Sequence, residues 1–156
     1  MQVLRERHGV FRQGDYAEWT VTWDSSSVAK FAELTGDVNP VHLDEQYARD
    51  RSRFGKPIVH GMLYGSMFGT IFGSQFEGAL YLNQSFRFRK PVFVGDTVTA
   101  VITVDSVRET PHILQCETTI HRHIQKNDGG EKMVVMTGNA SVLIPPQFDD
   151  TREGRE

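Results

Sequence analysis

The chain has 156 residues, of which 38% are hydrophobic and 24% charged, a balance too apolar for a disordered segment and too polar for a membrane bundle. Lys and Arg number 17 against 20 Asp and Glu, a net charge of −3, so the chain lacks the basic excess with which nucleic-acid binders neutralise phosphates, and no nucleic-acid partner is expected. A single cysteine, Cys116, forbids an intrachain disulfide and points to a reducing, intracellular setting, while a chain of this length can bury about two thirds of its unfolded surface without any such staple.

Trp19, Val21 and Trp23 alternate with Glu18, Thr20 and Thr22, which predicts a half-buried strand. Ser25, Ser26 or Ser27 is expected to cap a short helix carrying Val28, Phe31, Ala32 and Leu34, and Gly36 to end it in the left-handed conformation. Pro40 follows in a turn, and Asp44 to Arg51 forms another short helix. From Pro57 to Gly73 the chain is apolar nearly all round, with Gly61, Gly65, Gly69 and Gly73 along one helical ridge. Each glycine costs a helix about 1 kcal/mol against alanine, so four in register predict a close approach of other backbone. The apolar run starts at His60 and falls short of the ~20 residues that cross hydrocarbon, which argues for a buried helix rather than a membrane span.

Beyond this helix the period changes to two. Phe86 and Phe88 alternate with Arg87 and Arg89; Val98, Ala100, Ile102 and Val104 mark a second strand; Leu114, Cys116, Thr118 and Ile120 mark a third. A turn at Asn127-Asp128-Gly129-Gly130 leads to a fourth, Met133 to Ile144. Helices followed by antiparallel strands describe an α+β domain in which the sheet wraps a central buried helix, the hotdog fold. A single domain is expected over 10–146, with 1–9 and 147–156 as flexible termini. The first ten residues contain no apolar stretch of the kind that forms a secretory signal.

Residues 34–44 read LTGDVNPVHLD and place a carboxylate and an imidazole five residues apart. On one continuous helix Asp37 and His42 would be about 500° apart and would not align. A chain folded back at Asn39-Pro40, where the proline pushes Asn39 toward extended backbone, can instead turn both side chains into one small volume. A carboxylate beside an imidazole is suited to handling water, taking a proton from oxygen and returning one to carbon. On spacing alone, Gly36, Asp37 and Asn39 are first of all turn formers.

The string TGDVNPVHLD, then FGKPIVHGMLYGSMFG and YLNQSFRFRKPVFVGDTV, resembles the MaoC-like, (R)-specific enoyl-thioester hydratases, over roughly Trp19 to Ile144. That resemblance implies syn addition of water to a trans-2-enoyl thioester of coenzyme A or acyl carrier protein, giving the (R)-3-hydroxyacyl thioester, or the reverse dehydration in fatty-acid metabolism. It implies Asp37 and His42 as the catalytic pair, Gly61 as the backbone donor to the thioester carbonyl, Ser66 as the hydroxyl that orients Asp37, and Asn39 as a loop-shaping support. Met62, Met67 or Phe68 would line an acyl tunnel. A homodimer is implied too, with neither a metal nor another cofactor, in the cytoplasm or the mitochondrial matrix. A hotdog acyl-thioesterase and a non-catalytic acyl-thioester-binding module are the alternatives.

The remaining signals read as structure. His121 and His123 share a strand face but lack further ligands for zinc, and Cys116 reads as an inert core thiol. His60 caps or orients the loop before the glycine helix. Two basic clusters, Arg87, Arg89 and Lys90, and Arg51, Arg53 and Lys56, read as solvated faces. Val94-Gly95-Asp96-Thr97 reads as a turn between strands rather than a phosphate loop.

Overall fold

The period-two segments pair into one antiparallel sheet, and the apolar side of that sheet decides where the helices lie. The computed structural model describes residues 11–109, 112–124 and 131–145. The turn expected at residues 127–130, the outermost domain residues Val10 and Pro146, and the termini 1–9 and 147–156 lie outside the described residues. Strands β1 (Tyr16–Thr22), β2 (Leu80–Gln84), β3 (Arg87–Phe88), β4 (Thr97–Glu109), β5 (His112–Ile124) and β6 (Glu131–Leu143) are ordered β1-β4-β5-β6-β2, with β3 also paired to β6. The register lines up Trp19, Ala100, Ile120 and Met136 across four strands. Alternation then carries Val98, Ile102, Val104, Leu114 and Cys116 to the same inner face.

Among the described residues there are five short helices: α1 (Ser25–Thr35), α2 (Pro40–Leu43), α3 (Glu45–Asp50), α4 (Gly61–Gly65) and α5 (Met67–Gly73). Tyr64, Met67, Phe68, Ile71 and Phe72 of the last two lie fully buried against the inner face of the sheet. Each such side chain contributes about 1.5–3 kcal/mol by leaving water. This is the α+β arrangement anticipated above, a sheet around a central helical segment. No helix among the described residues is long and apolar enough to cross a membrane.

Several local expectations change. Asp24, not a serine, caps α1: its Oδ1 accepts from the Ser27 amide at 2.8 Å and the Ser27 hydroxyl at 2.7 Å. An acceptor-only carboxylate one residue earlier leaves the serine hydroxyl to act as a donor. Gly36 does end the helix, at φ 78° with its N–H on Ala32. Leu34 faces outward rather than inward.

The glycine helix is interrupted at Ser66, whose hydroxyl bonds back to the Leu63 carbonyl at 2.6 Å. Aromatic rings, not backbone, use the first two glycines: a Cβ at Gly61 would meet the Phe88 ring at 2.6 Å, and one at Gly65 the Phe86 ring at 3.1 Å. Gly69 and Gly73 face open space. With Met62, Ser66 and Thr70 they form an exposed stripe on a segment expected to be buried all round.

The tightest backbone approach lies in the sheet, where a Cβ at Gly138 would overlap the Ser85 carbonyl. There the chain passes from β2 to β3 while both pair with β6. Gly138→Ala should therefore lower stability by about 1–3 kcal/mol, the usual cost of overpacking, read as a reduced urea midpoint.

Candidate functional site

The site is assembled by three turns whose caps are written locally. Thr35 Oγ1 accepts from the Asp37 amide at 3.3 Å, and Asp37 Oδ1 from the Asn39 amide at 3.4 Å. Asn39 Oδ1 in turn accepts from Val41 N at 3.2 Å and caps α2. Pro40 therefore starts a helical turn rather than breaking one. Its fixed φ suits the first helical position, where its missing N–H would have had no partner. That single turn swings His42 back toward Asp37.

The other wall of the site is the strand-like stretch before α4. Ile58 donates its N–H to the Val41 carbonyl at 3.2 Å, while its own carbonyl receives His42 Nδ1 at 2.8 Å. A carbonyl only accepts, so Nδ1 carries the proton, and the neutral ring keeps a lone pair on Nε2. This Nε2 lies 3.9 Å from Asp37 Oδ2, too far for a direct hydrogen bond and close enough for one water to touch both. Burial holds the His42 pKa below its ordinary value; the Ile58 bond and the Asp37 charge act against that, and His60 acts with it. The neutral, proton-accepting form is thus favoured near pH 7.

His60, read from the sequence as a loop-orienting residue, lies at the centre of the site. It is 2% exposed, its Nε2 bonds the Asp37 carbonyl at 2.9 Å, and its ring stacks on His42 at 3.7 Å between centroids. The signal available in the sequence was its position immediately before Gly61, but nothing in the spacing brings it to Asp37 twenty-three residues earlier. Asp37, His42 and His60 present ligand-type atoms within 4.8 Å of one another. The two rings are nearly parallel, at 26°, so their in-plane lone pairs run side by side rather than converging. His60 Nε2 is also spent on the carbonyl. The donor set suits water better than a metal ion.

The other anticipated residues divide. Gly61 opens α4, and its N–H has no acceptor among the described residues. Asn39 caps α2 through its side-chain oxygen. Ser66 gives its one hydroxyl proton to Leu63, and no hydrogen bond joins it to Asp37, so the orienting role is not formed in this chain. Asp37 is held by Thr35, Asn39 and His60 instead. Met67 and Phe68 are sealed in the core and Met62 is 57% exposed, so these three do not form an acyl tunnel in the single chain. A cavity of about 740 Å³ instead opens beside His42, lined also by Ser25, Ala29, Arg49 and Lys56.

Cys116 is buried, and burial with the nearby Asp105 charge pushes its thiol up to about 12, which leaves it protonated and unreactive. His123 and His121 are bonded through Nε2 to Thr99 and Thr119, at 2.7 and 3.2 Å. In the turn after β3, Gly95 adopts φ 93°, and Asp96 accepts from the Phe93 amide at 2.8 Å.

Residues 12–127 match the family model described as "MaoC like domain". An (R)-specific enoyl-CoA hydratase of Aeromonas caviae is 40% identical over 134 residues, covering 85% of this chain and 94% of that protein. A mitochondrial 3-hydroxyacyl-[acyl-carrier-protein] dehydratase of Arabidopsis thaliana is 33% identical over 138 residues, covering 87% and 79%. Among solved structures, the (R)-hydratase from A. caviae involved in PHA biosynthesis superimposes with a TM-score of 0.77 at 39% identity, covering 86% of this chain and 98% of that one.

The imidazole of His42 should titrate below pH 6.5 when its ring protons are followed by NMR. Asp37→Asn should move it lower still, because the carboxylate is a group that favours the charged ring.

Proposed function

This chain belongs to the MaoC-like domain family, and from that membership we propose that Asp37 and His42 grip the water of an acyl-thioester hydratase. The reaction is the (R)-specific hydration of a trans-2-enoyl thioester of coenzyme A or acyl carrier protein, or its reverse, the dehydration of a 3-hydroxyacyl thioester. The observation that carries the residue assignment is the 3.9 Å gap between His42 Nε2 and Asp37 Oδ2, with the imidazole lone pair already turned into it.

In the forward direction the water oxygen bonds to C3 while its proton passes to His42 Nε2. The second water hydrogen stays on oxygen, directed at Asp37 Oδ2, and becomes the product hydroxyl hydrogen. The C=C electron pair moves onto the thioester oxygen, where the Gly61 N–H receives the growing charge. A positioned donor of this kind is worth about 2.7–4 kcal/mol of barrier. The enolate then collapses, and C2 takes the proton from the His42 imidazolium. Because one ring collects and returns the proton, both new bonds form on one face of the substrate, which supports syn addition. Burial lowers the cost of keeping this ring neutral between turnovers.

The exposed stripe of Met62, Ser66, Gly69 and Gly73, together with the exposed Leu80 and Leu82 of β2, supports a second copy of the chain packing there. Apolar faces of this kind are usually covered in solution.

Asp37→Asn and His42→Gln should each reduce kcat by about 10²–10⁴-fold at unchanged urea midpoint, measured as loss of the conjugated enoyl absorbance. Gly61→Ala should also lower kcat, since its Cβ must displace the Phe88 ring at the donor. Release of free thiol with the double bond intact would mark a thioesterase, and near-normal turnover in either pair variant would remove the assignment.

A further inference from the structure

His60 has three contacts and one orphan. One ring face lies on His42 at 3.7 Å, and Phe31 lies against the ring at 5.0 Å and 54°. Nε2 bonds the Asp37 carbonyl, which fixes the tautomer: Nε2 is the donor, and Nδ1 is a bare lone pair. This Nδ1 is buried and has no hydrogen-bond partner. Its backbone carbonyl meanwhile receives the Leu63 and Tyr64 amides at the start of α4. One residue therefore touches the backbone of the acid, the ring of the base and the first turn of the helix that carries the carbonyl donor.

A residue kept only for packing would be better as phenylalanine. The ring would fill the same space between Phe31 and His42, and no buried lone pair would be left unsatisfied. The Asp37 carbonyl would lose its partner, one hydrogen bond given up against one buried lone pair relieved. What phenylalanine would not do is hold that carbonyl at a fixed distance from the ring it stacks on.

Resting on the reading of Asp37 and His42 as the water-handling pair, we propose that His60 is a positioning residue for the reaction. Its Nε2–H anchors the Asp37 backbone, and its stacked ring fixes the plane of His42, so that the two water-binding atoms keep their separation. Its Nε2 also lies 3.9 Å from Asp37 Oδ2, but its proton is given to the Asp37 carbonyl, so it acts through the other two.

The test uses His60→Phe and His60→Gln in the full chain. His60→Phe should keep or raise the urea midpoint while kcat falls by about 10–100-fold and KM stays within about twofold. His60→Gln, which can still donate to the Asp37 carbonyl, should recover part of that kcat. In the unliganded protein, the NMR titration of His42 should move upward in His60→Phe, because a neighbouring ring that opposes its protonation is gone while its burial is kept. Asp37, on the loop after α1, Asp44, two residues after His42, and Glu45, Arg49 and Lys56, around the adjoining cavity, are charged groups near His42, and both variants leave them in place. A lowered midpoint with wild-type kcat and an unmoved His42 titration would reduce His60 to a packing residue and overturn the proposal. Full activity in Asp37→Asn or His42→Gln would instead remove the pair itself, whatever the His60 variants do.

Discussion

The hydrogen bond from His42 Nδ1 to the Ile58 carbonyl is the contact on which the proposed chemistry depends. It is formed between a one-turn helix and a segment sixteen residues further on, and it fixes which imidazole nitrogen is free. If Nδ1 were free instead, the lone pair would point away from Asp37, and the proposed pair would have no base. The same segment gives its Ile58 amide to Val41 and its Val59 amide to Val92, so the ring is referenced to the sheet side of the molecule rather than to its own loop. A base whose orientation is set by the fold needs no reorganisation during turnover.

Much of this was legible in the sequence, for identifiable reasons. The sheet could be read because alternation such as Val98, Ala100, Ile102 and Val104 has one structural meaning when one face is buried. The return of His42 toward Asp37 was legible from Asn39-Pro40, although the proline acts by starting a helical turn and not by making a plain turn. The α1 cap was misplaced because Asp24 and the serines after it are all good caps, and only geometry selects among them. The fate of the glycines was not legible either. A small residue states that something comes close, not whether it is the Phe88 ring, the Ser85 carbonyl or nothing in this chain.

His60 and Ser66 show the limit most clearly. Both lie in the same segment, and the family pattern singles out the serine as the group that orients the acid. In this chain the serine hydroxyl is satisfied within its own helix, and the histidine reaches the Asp37 backbone. The histidine's contact spans twenty-three residues and leaves no periodic trace, so it could not come from spacing. The orphaned Nδ1 is the kind of local inconsistency that concentrates where a fold gives up stability for geometry.

Asp37 and His42 sit on a stretch between Gly36 and Ile58 whose only helices have four and six residues. Helices so short have no standing of their own in water and exist because they are docked. The sheet and the central segment, by contrast, share one large apolar core. Two parts of such unequal cohesion do not come apart together: moderate heat or denaturant reaches the small docked part first. The molecule would then fall silent while its circular dichroism still reported an intact sheet, and it would recover on cooling without having to refold.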